Sequence, residues 1–346
     1  MGEKLKSSRF CDVAGDVSIV IVSWNARQYL EECLASVYDS TAAKIPEVIV
    51  VDNASTDGSP EMVEQRFPQA MLIRCSENLG FAKANNIGIK ETHGRHVALV
   101  NSDVKVLGSC FDTLVAFMDR HPRVGLAGPK VLNTDLTTQN NCRRFPSPWN
   151  NFCAATGLVR LLGRHRFFSG EQMLDFGHDQ VRPVEVLAGC FWIIRREALE
   201  AVGLLDQGFY IYAEDVDWCR RCWNAGWQVV FCPEAQAIHH GGGSSVNDPI
   251  RFAVEQNRAL LRYWRKHHGI MGRWCILAIL CCRLVLRYLL AFASRLLGRS
   301  AVSDSRDRMR KASACLRALL TEGIAPGHRL SSDHPESRGA GATIGR

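Results

Sequence analysis

The stretch Val97-Ala98-Leu99-Val100-Asn101-Ser102-Asp103 joins an uninterrupted apolar run to a polar triplet that ends in a carboxylate. Two earlier stretches follow the same plan: residues 17–22 lead into Ser23-Trp24-Asn25, and residues 47–51 lead into Asp52-Asn53. Strands this apolar, separated by helical patterns, predict an α/β fold with a mostly parallel central sheet and helices on both faces. In such sheets ligands bind beyond the carboxyl ends of the strands, which is where each polar cluster falls.

A second acidic stretch, Phe209-Tyr210-Ile211-Tyr212-Ala213-Glu214-Asp215-Val216-Asp217, brings three carboxylates out of an aromatic run. An enzyme that handles a metal-bound diphosphate needs one carboxylate to hold the cation and another to accept a proton. Asp103 is the candidate for the first role, and Asp215 or its neighbour Glu214 for the second. Asp217 has the i, i+4 spacing of a helix-surface ion pair with Arg221, which we prefer as its explanation.

Composition is that of a globular enzyme-sized protein, with 346 residues, 47% of them hydrophobic, and a net charge of +7. The first ten residues are polar and charged, so we expect no secretory leader. The 14 scattered cysteines then predict reduced thiols in a cytosolic setting. The basic excess is concentrated after residue 258, which points to an anionic surface such as lipid headgroups.

The pattern predicts four regions: an N-terminal tail (1–15), a catalytic domain (16–250), amphipathic membrane-associating helices (251–299) and a disordered tail (300–346) that contains at most a short helix over 309–321. In the third region the apolar run 274–282 is too short to span a bilayer. Its cationic residues fall on one stripe of a helical wheel, which fits a helix lying in the membrane interface. A helix packed on the domain with solvated arginines is the alternative. The stripe comprises Arg258, Arg262, Arg265, Lys266, Arg273, Arg283, Arg287 and Arg295.

Six motifs in order make the chain resemble family 2 glycosyltransferases of the GT-A fold. They are residues 17–25, residues 50–59, Asn78-Leu79-Gly80-Phe81-Ala82 with Asn85-Asn86-Ile87-Gly88, Asn101-Ser102-Asp103, residues 214–221, and His239-His240-Gly241-Gly242-Gly243-Ser244. The likeness covers about residues 16 to 270. It is greatest to the rhamnosyltransferase-like branch, whose members build surface polysaccharides on lipid carriers. The family commonly has Asp-x-Asp where this chain has Asn101-Ser102-Asp103.

The resemblance implies a role for individual residues. The nucleotide-sugar, a dTDP- or UDP-sugar, would be bound by Ser23, Asn25, Asp52, Asn86, Asn101 and Asp103, with Asp52 reading the pyrimidine base. A divalent metal, Mg²⁺ or Mn²⁺, would be held by Asp103 with His239 or His240, while the histidines or the amides of residues 241–244 are alternative phosphate ligands. Asp215, or else Glu214, would be the catalytic base. Gly189, Trp192 and Trp218 would form the acceptor side, although either tryptophan is as readily a core residue.

The expected protein is thus a peripheral enzyme at the cytoplasmic face of the inner membrane. It would transfer a sugar, rhamnose from a dTDP donor in the first instance, to a polyprenyl-diphosphate-linked glycan. The basic stretch of residues 140–170, which includes Arg143 and Arg144, would contact the acceptor diphosphate or form a basic loop. A nucleotidyltransferase is a rival, but no glycine-rich, basic triphosphate loop is found. A degenerate scaffold or glycan-binding protein is another, and nucleic-acid binding is not expected.

Overall fold

A computed structural model describes residues 16–40, 47–241, 249–297 and 302–324 of the chain. The predicted N-terminal tail, the amides of residues 242–244 and the chain from residue 325 onwards lie outside the described residues. Expectations that concern those segments therefore stay predictions.

A central, mostly parallel sheet organises the catalytic region. Its strands run in the order β3-β2-β1-β4-β10-β6-β11-β5, with β8 beside β11. The strands β3, β2, β1 and β4 are parallel, as are β6 and β11, whereas β10 lies antiparallel between β4 and β6. The strands are β1 Val17–Ser23, β2 Glu47–Asp52, β3 Met71–Arg74, β4 His96–Asn101, β5 Val104–Leu107, β6 Val124–Leu132, β7 Cys142–Arg143, β8 Arg182–Pro183, β9 Val186–Leu187, β10 Phe191–Arg195 and β11 Gln228–His239.

Helices cover both faces of this sheet. Alternate side chains of β1 show this directly, because Ile19 belongs to one buried hydrophobic cluster and Val20 to the other. The helices are α1 Arg27–Asp39, α2 Ser59–Arg66, α3 Phe81–Lys90, α4 Cys110–Arg120, α5 Pro148–Thr156, α6 Leu158–Leu162, α7 Arg196–Val202, α8 Glu214–Asn224, α9 Pro249–Leu296 and α10 Val302–Ile324. The predicted α/β architecture is confirmed.

The helix α9 reverses direction at Gly269. This glycine has φ +66°, a conformation that interrupts the helix. The Arg283 guanidinium donates to Asn257 Oδ1 at 2.9 Å, although a straight helix would separate these residues by about 39 Å. The helix is therefore a hairpin, in which we call residues 249–268 the proximal arm and residues 270–296 the distal arm.

Both arms share the hydrophobic core of the catalytic region. Tyr263 of the proximal arm and Leu280 of the distal arm are fully buried and belong to the same cluster as Trp218 of α8. The short helix predicted over 309–321 lies within α10, Val302–Ile324, and the disorder predicted for the residues on either side of it within this range is wrong. There α10 forms a helix that buries Cys315 and Leu319 in that cluster, and this packing stabilises it.

The cationic stripe has two roles: Arg265, Arg287 and Arg295 are exposed, whereas other members hold the helix against the rest of the fold. Arg262 and Lys266 form ion pairs with Asp206, Lys266 also pairs with Asp217, and Arg273 is buried. These cations dock α9 onto the catalytic region, and Gly269 splits the stripe between two arms. Over one 18-residue window α9 is also long and apolar enough, by length and composition, to cross a membrane, a possibility that the nine-residue run considered above did not indicate.

Candidate active site

Three buried oxygen atoms lie at the carboxyl ends of β1, β2 and β4, and of their residues only Asn101 lines the cavity described below. Ser23 stands opposite Asp52, and Val22 stands opposite Asn101. Asp52 Oδ2 accepts a hydrogen bond from the Ser55 amide at 3.0 Å. Asp52 Oδ1, Ser23 Oγ and Asn101 Oδ1 are buried and have no hydrogen-bond partner among the described residues. Buried polar atoms are normally paired, so such a cluster is typical of a ligand site.

A cavity of about 280 Å³ opens at this end of the sheet. Its wall combines strand-end residues with the aromatic segment before α8 and with the start of α9. It is lined by Val22, Trp24, Ala26, Tyr29, Asn53, Asn78, Gly80, Phe81, Asn101, Ser102, Asp103, Tyr210, Ile211, Tyr212, His239, Arg251 and Phe252. The C-terminal hairpin is therefore part of the site as well as of the core.

Two of the predicted donor residues have structural bonds. The Asn86 side chain donates to Leu205 O at 2.8 Å and accepts from Leu205 N at 3.0 Å. Because Asn86 is also only 1% exposed, its predicted contact with the donor is wrong: it clamps α3 to the loop before α8. Asn25 accepts from the Thr56 amide at 2.8 Å and shapes the loop beside the cavity.

Asp103 and His239 face each other across the cavity wall. His239 Nε2 lies 3.2 Å from Asp103 Oδ1, although 136 positions separate the two residues in the sequence. Burial by itself would raise the pKa of Asp103, but the hydrogen bond and charge of His239 bring this pKa below its ordinary value. The strand β5, which follows Asp103, pairs with β11, which ends at His239. This pairing brings the two side chains together.

The Gln139 side chain orients the His239 ring. Gln139 Nε2 donates to Asn133 Oδ1 and to the His239 carbonyl, so Oε1 is the atom that faces His239 Nδ1, at 2.6 Å. Nδ1 must then carry the proton, which leaves the Nε2 lone pair directed at Asp103. A proton on Nε2 gives the ion pair that lowers the pKa of Asp103, and a metal cation can take the place of that proton. A histidine held through its other nitrogen is typical of metal sites.

The pair also has the spacing of metal ligands. Two ligands at the ~2.1 Å that Mg²⁺ prefers, at right angles to each other, lie about 3 Å apart. Within the described ranges no group of three or more His, Cys, Asp and Glu side chains forms a complete metal cage. Mg²⁺ commonly uses one or two protein ligands and takes the others from substrate phosphates and water. The residues present thus fit a divalent cation that binds with a diphosphate.

His240 does not join this pair. Its ring lies 4.9 Å from the Tyr29 ring, and its Nε2 is 3.8 Å from Glu32 on α1. Its backbone amide donates to the Asp103 carbonyl at 3.0 Å. His240 therefore supports the Asp103 loop, and His239 is the better metal candidate.

Glu214 and Asp215 begin α8 close to the Asn101 triplet without lining the cavity itself. Asp215 accepts hydrogen bonds from the Val216 amide at 2.8 Å and from the Gly189 amide at 3.3 Å. The next residue, Cys190, accepts from the Asn101 amide at 2.9 Å. Two backbone contacts thus connect Asp215 to the end of β4.

Glu214 lies in surroundings that favour its protonated form. Burial first, and the neighbouring charge of Asp215 second, raise the pKa of Glu214, whose Oε2 has no partner among the described residues. Tyr212 and Ala213, directly before α8, both have positive φ angles of 71° and 62°. Consecutive left-handed non-glycine residues are strained, and such strain clusters at functional sites.

The two tryptophans predicted on the acceptor side belong to the core. Trp192 is 1% exposed and donates to Leu187 O at 3.2 Å, and Trp218 is fully buried and donates to Gly203 O at 2.9 Å. Neither indole is available to stack on a sugar, so this prediction is wrong. Gly189 fits the acceptor side better, because a Cβ atom there would lie 3.3 Å from Asp215 Cβ.

Two arginines of the basic stretch of residues 140–170 have different roles. Arg144 forms a bidentate ion pair with Asp175 at 2.9 Å and is structural. Arg143, which is exposed on β7, lies close enough to Glu214 for its charge to act on that carboxyl. It also acts on the buried Glu171. Arg143 is thus an exposed cation beside the candidate catalytic residues.

Sequence reasoning missed three residues of the site: Gln139, Tyr210 and Arg251. Arg251 donates to Tyr210 Oη at 3.3 Å and lies 5.7 Å from the centre of its ring. Arg251 falls in the region that the sequence predicts as membrane-associating helices. In the sequence, only its position soon after the glycines at 241–243 points to the site. For Gln139 the sequence carries no signal.

Comparison with known proteins adds an independent line of support. Residues 18–203 match the family model described as glycosyl transferase family 2. The N-acetylglucosaminyl-diphospho-decaprenol L-rhamnosyltransferase of Mycobacterium tuberculosis is 30% identical over 308 residues, which cover 85% of this chain and 96% of that protein. A dTDP-rhamnosyl transferase of Shigella flexneri is 26% identical over 232 residues, 65% of this chain and 69% of that protein.

Among solved structures, a mannosyltransferase from Pyrobaculum calidifontis in complex with GDP-Man and Mn²⁺ superposes with a TM-score of 0.52. It is 17% identical, and the match covers 90% of this chain and 88% of that one. At this identity the likeness concerns the fold alone, and it confirms the GT-A architecture. Together with the sequence matches, it shows that the chain belongs to glycosyltransferase family 2.

Proposed function

We propose that this glycosyltransferase is a metal-dependent, inverting enzyme that transfers L-rhamnose from dTDP-rhamnose to a polyprenyl-diphosphate-linked glycan. The observation that carries the proposal is the Asp103–His239 pair in the wall of a cavity at the carboxyl ends of β1 and β4. The names of the Mycobacterium and Shigella relatives supply the sugar and the lipid carrier. A UDP-sugar is the alternative donor.

The donor nucleotide would bind at the buried strand ends. Asp52 Oδ1 has no protein partner, and a carboxylate oxygen there can accept the ring N–H of thymine or uracil. Ser23 Oγ and Asn101 Oδ1 would complete the polar contacts with the nucleotide-sugar. This arrangement favours a pyrimidine nucleotide with a ring N–H over cytosine.

Asp103 and His239 would hold Mg²⁺ or Mn²⁺ together with the donor diphosphate. The bound cation would supply charge neutralisation for the departing diphosphate. Gln139 keeps the His239 lone pair directed at that position, and burial of Asp103 keeps water from competing for its carboxylate.

Asp215 would take the proton from the acceptor hydroxyl. The Gly189 and Val216 amides fix its carboxylate, and the absence of a side chain at Gly189 lets the backbone approach Asp215 closely. Because the pKa of Glu214 is raised, Glu214 would stay neutral and would not compete as the base. Arg143 would attract the diphosphate of the acceptor to this side of the site.

The substrates place the enzyme at the cytoplasmic face of the plasma membrane, where a polyprenyl-linked acceptor and a cytoplasmic sugar nucleotide meet. Peripheral association with that membrane is part of the proposal, and nucleic acid has no place in it.

The test is transfer to a short-chain, water-soluble prenyl-diphosphate-GlcNAc acceptor, detected by mass spectrometry. Donors are dTDP-rhamnose, UDP-glucose and GDP-mannose, each with Mg²⁺, with Mn²⁺ or with a chelator. We expect a product from dTDP-rhamnose that requires the metal. Transfer from GDP-mannose alone, or equal transfer in the presence of the chelator, would overturn the donor or the metal assignment respectively.

A further inference from the structure

Exposed apolar side chains are concentrated in two segments of the chain. Among the residues that the structure describes, 22 large hydrophobic side chains are exposed, and seventeen of them lie either within residues 149–174 or in the distal arm of α9 and the residue after it. The first segment contributes Trp149, Phe152, Leu161, Leu162, Phe167 and Leu174. The second contributes Ile270, Met271, Trp274, Val285, Leu286, Tyr288, Leu289, Leu290, Phe292, Leu296 and Leu297. Monomeric soluble proteins rarely expose this many apolar side chains together.

The two segments are neighbours in the fold. Helix α5 packs against α9, and Glu171, which follows it in a short 3₁₀ turn, lies near Arg283 of the distal arm. Glu171 also accepts a hydrogen bond from Asn151 of α5 at 3.1 Å. We call the exposed side chains of residues 148–167 and 270–297 the apolar–basic surface.

Its charges have a single sign. Residues 148–170 and 270–297 contain no Asp or Glu. Arg160, Arg164 and Arg166 are exposed between Leu161, Leu162 and Phe167, and Arg287 and Arg295 are exposed on the distal arm. Apolar side chains interleaved with cations match an anionic lipid surface, which offers headgroup charge above a hydrocarbon layer.

We propose that the apolar–basic surface docks the enzyme onto an anionic bilayer, with α5–α6 and the distal arm lying in the interface. This inference rests on the proposed function, because a polyprenyl-linked acceptor has to be collected from that bilayer. A second copy of the chain would bring arginines against arginines, so the charge favours lipid over self-association. In this proposal the distal arm lies on the membrane and does not cross it, since Arg283 ties it to the proximal arm and its Leu284 shares the buried cluster of Cys315 and Leu319 of α10.

The position of this surface links it to the site. Arg143, whose charge acts on Glu214, acts on Glu171 as well, and Glu171 in turn lies near Arg283. The docked face therefore adjoins the acceptor side. A prenyl chain in the bilayer would present its diphosphate close to Arg143.

The test is flotation of the full-length protein with vesicles of phosphatidylcholine alone or with about one-third phosphatidylglycerol. We expect binding to the anionic vesicles that is at least 10-fold stronger. The paired variants Leu161→Glu/Leu162→Glu and Leu289→Glu/Leu290→Glu should each weaken binding at least 10-fold. Met71→Glu, an exposed apolar position on the edge strand β3, is the control and should bind as the wild type does.

Transfer to the water-soluble acceptor separates this inference from the proposed function. The Leu161→Glu/Leu162→Glu and Leu289→Glu/Leu290→Glu variants should keep transfer to the water-soluble acceptor and should keep their melting temperatures. They should lose transfer to acceptor that is embedded in vesicles. The exposed Arg160→Glu/Arg164→Glu pair, which removes no packing, should likewise lose anionic-vesicle binding. Unchanged vesicle binding in all three paired variants would overturn the inference. A second result would also overturn it. In that result, sedimentation shows that the wild type is a dimer and that the Leu161→Glu/Leu162→Glu variant is a monomer which still binds vesicles.

Discussion

Asp217 of the catalytic helix α8 and His267 of the C-terminal hairpin are joined by a hydrogen bond of 2.7 Å between Asp217 Oδ1 and His267 Nε2. The same carboxylate pairs with Lys266 at 2.7 Å and with Arg221 at 2.9 Å, and its side chain is fully buried. The expected Arg221 pair is therefore one part of a larger junction. This junction fixes the helix that begins with Glu214 and Asp215 against the proximal arm.

Asp217→Asn should destabilise the protein by about 3–5 kcal/mol at neutral pH, because it removes the buried carboxylate that Arg221, Lys266 and His267 share. Burial alone would raise the pKa of Asp217, but His267, Lys266 and Arg221 lower it to about 2. A depressed carboxyl pKa gives stability that is present above its unfolded value and is lost as pH falls towards 2. The difference between variant and wild type should therefore shrink below about pH 4 in urea unfolding.

The exposed Arg95–Asp119 pair supplies the matched control for that experiment. Asp119→Asn should cost at most about 1 kcal/mol, because solvent screens such pairs. An Asp217→Asn variant as stable as Asp119→Asn would show that the junction does not hold α8.

Asp103→Asn and His239→Ala should each reduce Mn²⁺ affinity in the presence of dTDP and reduce transfer at least 100-fold, because each removes a ligand. His240→Ala should change both by less than about threefold, since its ring faces α1. Electron paramagnetic resonance of Mn²⁺ reads the affinity directly. Equal losses from His239→Ala and His240→Ala would contradict the assignment.

Gln139→Leu should weaken Mn²⁺ binding about 10- to 100-fold, the usual effect of removing a group that orients a metal-bound histidine. Gln139→Glu retains an acceptor oxygen for His239 Nδ1 and should recover most of the affinity. The same Mn²⁺ titration checks the pair. If Gln139→Leu binds Mn²⁺ as the wild type does, Gln139 does not orient His239.

Asp215→Asn should lower kcat by about 10²- to 10⁴-fold, the range for loss of a general base. Binding of dTDP with Mg²⁺ should survive, because the strand-end oxygens and Asp103 are untouched. Calorimetry of nucleotide binding beside steady-state kinetics separates the two effects. Asp103→Ala, in contrast, should lose both transfer and metal-dependent nucleotide binding; full activity of both variants would refute the mechanism.

Glu214→Gln should make the protein more stable at high pH. Because the pKa of Glu214 is raised in the fold, the native state keeps a proton that the unfolded chain releases, and wild-type stability falls as pH rises above the ordinary carboxyl range. The variant lacks this loss, so its advantage should grow to roughly 1–2 kcal/mol at about pH 8 and vanish near pH 4. Glu200→Gln, at an exposed position on α7, is the control and should show no such trend.

The sequence predicted the parallel part of the sheet because strands buried on both faces are continuous apolar runs. The apolar runs 17–22 and 47–51 lie within β1 and β2, and the run 97–100 lies within β4. The polar strand ends followed from the same rule, and the motif order added Asp103 with a histidine. The motif already favoured His239 over His240, but the physical reason for this preference lies in the positions of Gln139 and Glu32, which are set by tertiary packing.

Other features depend on contacts between distant segments. A glycine within a helical pattern does not show whether the chain continues or reverses, so the turn at Gly269 was not foreseen. A tryptophan in an apolar stretch, such as Trp192 or Trp218, can either pack in the core or stack on a sugar ring, and the sequence pattern is the same in both cases. The ion pairs that Arg262 and Lys266 of the cationic stripe make were not predicted, because their partners, Asp206 and Asp217, lie 49 to 60 residues away in the sequence.

The buried oxygens of Ser23, Asp52 and Asn101, which have no hydrogen-bond partner among the described residues, have a consequence for attempts to raise the thermal stability of this enzyme. Each buried polar atom without a partner costs the empty protein about 1–3 kcal/mol, so an apolar replacement of similar shape, such as Asn101→Leu, relieves part of that cost. A screen that selects for thermal stability alone would therefore enrich substitutions at these three positions, and such variants would lose the proposed donor site. Directed evolution of this scaffold has to select on turnover and heat together.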